Sequence, residues 1–131
     1  MKITIGIARF LLGLIFLTFG LNGFLHFLPA SLPSGTAGQF VGALFVSHYL
    51  VAVFLLQVVA AVLLLINRYV PLALTLLAPI IVNILLFHLL MAPSGLALAI
   101  VVTVLWIVVF LSVRSAFTGL FLQRVPVQVP R

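Results

Sequence analysis

Three histidines and three carboxamides are the side chains of this sequence best equipped for chemistry: His26, His48 and His88, with Asn22, Gln57 and Asn83. A neutral imidazole nitrogen can ligate a metal or a haem iron, or the ring can hydrogen bond a quinone carbonyl. A carboxamide adds two donors and one carbonyl acceptor without charge. Asn22 and His26 stand four apart and share a helix face. Asn83 and His88 stand five apart and diverge by about 140° on an ideal helix. No histidine spacing matches a zinc motif, so no metal ligand set is assigned. The six residues form a candidate ligand-binding set, against two plainer readings: histidines in an interfacial belt with Phe24, Phe27, Tyr49 and Phe87, and amides as interhelical glue.

Other chemistries are closed. The 131 residues include no Asp, no Glu and no Cys, which removes paired-carboxylate acid–base catalysis, carboxylate cation sites, thiolate-held clusters and disulfides. No catalytic residue is assigned, and any redox chemistry would need a borrowed cofactor. The net charge of +6 comes from cations scattered singly along the chain, unlike the clustered basic face that holds nucleic acid, so no nucleic-acid partner is expected.

The elements that must position the candidate residues are membrane helices. With 66% hydrophobic and 5% charged residues, the chain lacks the polar surface to face water and must be covered mostly by lipid. Apolar runs over 5–27, 48–66, 71–91 and 96–113 each approach the roughly 20 residues needed to cross about 30 Å of hydrocarbon. They predict an all-α, integral membrane four-helix bundle in a single domain. The first run is too long for a signal-peptide core and reads as an uncleaved span. Two prolines and two glycines break the chain between Leu28 and Gly38, and 37–46 is expected to form a short interfacial or re-entrant helix between the first two spans. Residues 114–131, with three arginines and two prolines, read as a cytoplasmic interfacial tail.

Lys2 and Arg9, Arg68, and then Arg114, Arg124 and Arg131 all fall on one side of a four-crossing chain, while 28–48 and 92–95 carry no Lys or Arg. The positive-inside rule therefore places both termini in the cytoplasm and the three histidines near the outer face. Amides nearer the hydrocarbon should point into the bundle, and Thr75, Pro79 and Asn83, spaced by four, are expected to wall a pocket there. Gly6, Gly13 and Gly20 recur every seven residues as a close-packing face, within the bundle or against a second copy. Trp106, in mid-span, suits packing or lipid exposure better than ligand stacking. The stretches NGFLHFLPASLPSG and NILLFHLLMAPSG echo one another as a candidate internal repeat.

INRYVPLALTLLAPIIVNILLFHLLMAPSG, with RFLLGLIFLTFGLNGFLHFLP upstream, resembles the DoxX-like family of small bacterial four-helix membrane proteins. The resemblance runs over almost the whole chain and is most specific at NRYVPL, LAP and NILLFH. It implies a multi-pass protein of the bacterial inner membrane, in a family some of whose members are linked to thiosulfate:quinone oxidoreductase or thiol-stress oxidoreductase complexes. It draws attention to Asn22, His26, Asn83 and His88. Relatives often carry Lys directly after the first-helix Asn and Glu near the middle of the second span, where this chain has Gly23 and Gln57. The expected function is thus a non-catalytic membrane subunit or small-molecule binding module, with a pocket toward the outer leaflet. A quinone-binding subunit of an oxidoreductase complex and a dimeric small-solute transporter are the alternatives.

Overall fold

A computed structural model describes residues 1–131 as helices and short connections, with no strand. Five α-helices follow in order: α1 (Lys2–Leu25), α2 (Gly35–Val46), α3 (Tyr49–Leu65), α4 (Val70–Leu90) and α5 (Leu96–Val113). Pro93–Gly95 forms one 3-10 turn between α4 and α5, and a longer 3-10 segment, Arg114–Phe121, follows α5. Residues 122–131 carry no helix or strand, so the helical part of the tail ends at Phe121.

Helix lengths separate the elements by what they can cross. At 1.5 Å per residue α1 spans about 36 Å and α4 about 31 Å, against about 30 Å of hydrocarbon. These two helices and the segment Pro93–Phe121 are each long and apolar enough to cross a membrane. The 17 residues of α3 reach only about 25 Å. α2 and α3 meet the same test only as a pair, bent by 85°. The bend follows from His48, whose φ of 62° puts one left-handed residue between the two helices. The Ser47 hydroxyl holds the corner, donating to the Leu44 carbonyl at 3.1 Å and accepting the Tyr49 N–H at 3.4 Å.

The remaining breaks have equally local causes. Asn67, at φ 55°, ends α3, and the Arg68 N–H returns to the Leu63 carbonyl at 3.0 Å, a Schellman-type closure with Asn in the place that glycine usually takes. Pro71 enters the first turn of α4, where no intrahelical donor is lost. Pro79 is accommodated within α4, which continues through it as one helix.

α1 packs against α3 and α5, and α4 packs against α3 and α5, which makes a closed ring of four helices. α2 lies against α3. The closest pairing is α1 with α3, and glycine makes it. A Cβ at Gly13 would stand 3.2 Å from the Ala61 carbonyl oxygen, one at Gly20 would stand 2.9 Å from Val58 Cγ2, and one at Gly23 would lie 2.2 Å from the Phe54 ring. Small residues that let backbones approach are the usual means of helix association in lipid, where burial of apolar surface supplies little drive. The glycine face is therefore intramolecular at Gly13 and Gly20, while nothing stands within 4 Å of a Cβ at Gly6.

Leu12, Leu64, Leu74, Leu77 and Val109 fill the centre with Ala60, Ala61 and Ala73. Outside it, Leu98, Ile100, Val101, Val104, Ile107 and Leu111 leave α5 with an exposed apolar face, which is the surface expected where lipid is the solvent. Trp106 takes a structural part. Its indole N–H donates to the Leu74 carbonyl of α4 at 3.0 Å, and its ring stacks on Phe110 at 5.1 Å. Phe110 in turn meets the buried Phe117, which fastens the 3-10 segment onto α5.

Gly20→Val is expected to destabilise the protein in detergent by roughly 1–3 kcal/mol through overpacking against α3, while Gly6→Val leaves stability unchanged. Thermal unfolding measures both, and equal effects at the two sites would contradict the packing described.

Candidate functional site

The side chains singled out in the sequence divide between two cavities and the outer surface. Asn22 (α1), Gln57 (α3) and His88 (α4) line one cavity of about 280 Å³. Its other walls are apolar, from Phe16 and Phe19 of α1, Phe54 of α3, Ile84 of α4 and Val102 of α5. His26 and His48 line a second cavity of about 240 Å³, with Phe45 and Leu50. Phe54 lines both and separates them. Its ring can stand there because residue 23 has no side chain. Gly23 is thus a space requirement.

Each polar group of the first cavity has a defined hydrogen-bonding state. The Asn22 Oδ1 accepts the Leu28 N–H at 2.7 Å, which pins the chain leaving α1 and turns the carboxamide nitrogen into the remaining donor. His88 Nδ1 lies 2.9 Å from the Ala92 carbonyl oxygen. A carbonyl can only accept, so Nδ1 carries the proton, and in the neutral ring Nε2 is left as an acceptor. Gly95 makes this possible, because a Cβ there would fall 2.1 Å from His88 Cε1.

Gln57 differs from both. Only 7% of the residue is exposed, and its Oε1 is buried with no hydrogen-bond partner. Leaving an amide unpaired in an apolar interior costs roughly 1–3 kcal/mol. An acceptor and donors of unused capacity thus stand at the wall of a cavity whose other polar groups offer one donor, from Asn22, and one acceptor, from His88.

Asn83 corrects an expectation. It is exposed on the outer face of α4, and its Nδ2 donates to the Pro79 carbonyl of the same helix at 2.8 Å. Thr75, equally exposed, donates to the Pro71 carbonyl at 2.8 Å. The Thr75, Pro79 and Asn83 face is therefore on the exterior and walls neither cavity. The physical reason is that each donor finds a carbonyl one turn back, so neither needs a partner inside the ring. The two echoing stretches accordingly do different work: Asn22 ties a loop and faces the cavity, whereas Asn83 ties its own helix.

His26 and His48 both sit at left-handed corners, with φ of 51° and 62°. His26 closes α1, its N–H returning to the Asn22 carbonyl at 2.9 Å, and its ring meets Phe45 edge-on. The residues that sequence reasoning missed are Phe54 and Gly95, one dividing the cavities and the other seating His88. Their only signals were an aromatic one turn before Gln57 and a glycine seven residues after His88.

Gly95→Ala is expected to dislodge the His88 ring and break its bond to Ala92. Ring nitrogen spectra of 15N-histidine-labelled protein should show His88 as the Nδ1-protonated tautomer in the wild type and lose that signature in the variant. An unchanged spectrum would contradict the seating.

Comparison with protein-family models, with curated proteins and with solved structures finds no match to this chain.

Proposed function

We propose that this chain is a multi-pass protein of the bacterial inner membrane, of the DoxX-like kind, crossing four times with both termini cytoplasmic. In this reading it acts as a small-molecule binding module or non-catalytic subunit, through the cavity between α1, α3, α4 and α5 near the outer leaflet. The observation that carries the proposal is Gln57, a nine-tenths buried amide with an unpartnered Oε1 on the wall of that cavity.

The ligand class follows from the walls. A volume of about 280 Å³ with eight hydrophobic residues among eleven suits a small, mostly apolar ring. The polar complement asks for a ligand that both accepts, from the Asn22 amide nitrogen, and donates, to His88 Nε2. A quinol meets that demand with hydroxyl groups on opposite edges of one ring, and its quinone meets the accepting half with a carbonyl, which favours the reading as a quinone-binding subunit of an oxidoreductase complex. The interior holds no carboxylate to move a proton, so electron and proton transfer would belong to the partner. The glycines that would supply a dimer face are occupied at Gly13 and Gly20 by α3, and we do not extend the proposal to a dimeric transporter.

Trp106 is the single tryptophan and lies one turn from the cavity residue Val102. Titration with a short-chain benzoquinone should quench its fluorescence saturably. Gln57→Leu should weaken the apparent affinity about tenfold, equivalent to ~1.4 kcal/mol, and His88→Leu should do so only for the corresponding quinol, while Asn83→Ala stays within about twofold, since exposed surface changes seldom exceed ~0.5 kcal/mol. Quenching that never saturates, or that is the same in all three variants, would overturn the proposal.

A further inference from the structure

The opposite end of the ring holds a third cavity, of about 240 Å³, between the first turns of α1, the 66–69 turn and the last turn of α5. Its chemistry is the reverse of the first. Lys2, Arg9 and Asn67 line it together with Gly6 and the first residue of α4, Val70.

Arg9 is half-buried, and one guanidinium nitrogen donates to the Leu64 carbonyl and, at 3.5 Å, to the Leu65 carbonyl, closing the C-terminus of α3. A guanidinium has five N–H donors, so several remain for the cavity. The chain has no Asp or Glu, and this half-buried cation therefore has no side-chain counter-charge anywhere in the molecule. Placing charge in a low-dielectric setting without a compensating partner is costly.

Three further features point the same way. The Lys2 side chain is exposed, makes no hydrogen bond within the protein and lines the cavity. The space beside Gly6 is open, with nothing within 4 Å of where a Cβ would stand. α4, a 21-residue helix without a side-chain cap, starts at the cavity and adds the positive end of its dipole. Ser112 contributes no donor, because its hydroxyl already donates to the Val109 carbonyl at 2.6 Å.

We propose that this cavity binds a phosphate group, most directly the headgroup of an anionic phospholipid in the leaflet at the cation end, with Arg9, Lys2 and the Asn67 amide as donors. Bidentate guanidinium contact suits phosphate oxygens, and basic pockets between membrane helices are the recognised setting for anionic headgroups. The inference is independent of the ligand in the cavity beside Gln57.

Native mass spectrometry of the delipidated full chain in detergent tests it, with phosphatidylglycerol, phosphatidylcholine and inorganic phosphate as probes. One phosphatidylglycerol should bind at least about tenfold more tightly than phosphatidylcholine. Lys2→Gln should weaken it about fivefold, and Arg131→Gln, in the tail, should leave it unchanged. Arg9→Gln should abolish the preference. That variant also removes the closure of α3, so Lys2→Gln, whose side chain supports nothing in the fold, decides the matter by itself. Displacement of the lipid by millimolar inorganic phosphate would support the site with free phosphate as a competing source, and retention of the lipid would support it with the headgroup as source. Equal binding of the two lipids without phosphate binding, or a Lys2→Gln protein indistinguishable from wild type, would overturn the proposal.

Discussion

With no Asp or Glu side chain to accept from them, the cations, amides, hydroxyls and indole of this chain turn to the backbone, and the structure is organised by that constraint. Every side-chain hydrogen bond has the backbone at its other end. Carbonyls near helix ends take the most consequential of these: Arg9 closes α3, and His88 closes the α4–α5 turn at Ala92. Trp106 reaches a mid-helix carbonyl and ties α5 to α4. Such bonds add only ~0.6 kcal/mol each within a membrane, so they orient helices that packing holds together. Gln57 is the buried side chain left out of this arrangement, and for that reason it marks the cavity.

The packing that holds the ring is set by the α1–α3 contact. Gly13 and Gly20 bring α1 onto the backbone of α3 at Ala61 and Phe54, and Asn22 of α1 and Gln57 of α3 line the same cavity. Gly23 then admits the Phe54 ring, and that ring separates the cavity of Asn22, Gln57 and His88 from the one lined by His26 and His48. Sequence thus acts on chemistry through volume. Three absent side chains along one helix decide where the polar groups of two helices meet.

The helical class and the positions of the breaks were legible from the amino acids, because apolar runs and Pro/Gly clusters carry that information locally. The gathering of cations at one end and histidines at the other was legible too, from spacing alone. Side-chain direction was not. Asn83 looked like an interior amide because burial of an unpaired amide in lipid is expensive, yet a carbonyl four residues back satisfied it on the outside. Arg9 looked like a flank charge, and its bond to α3 joins residues 55 apart in sequence. Gly23 looked like a lost charge until the Phe54 ring occupied its space. Arg9 and Gly23 depend on a tertiary neighbour that no periodicity encodes, and Asn83 on a local carbonyl that competes with the interior.

Two ends of opposite chemistry follow: a cation end with a basic cavity and a histidine end with apolar ones. The proposed functions of both require that α2 and α3, despite the 85° bend, together carry the chain across the membrane, so that the two ends face opposite compartments. The chain has no native cysteine, and single cysteines at the exposed positions Ser31, Ser94 and Ser115 report this directly through labelling of intact cells with a membrane-impermeant maleimide. Four crossings with cytoplasmic termini predict labelling at Ser31→Cys and Ser94→Cys from the outside, and at Ser115→Cys only after permeabilisation. Labelling that places positions 31 and 94 on opposite sides would mean that α2 and α3 turn back without crossing, and would contradict the account.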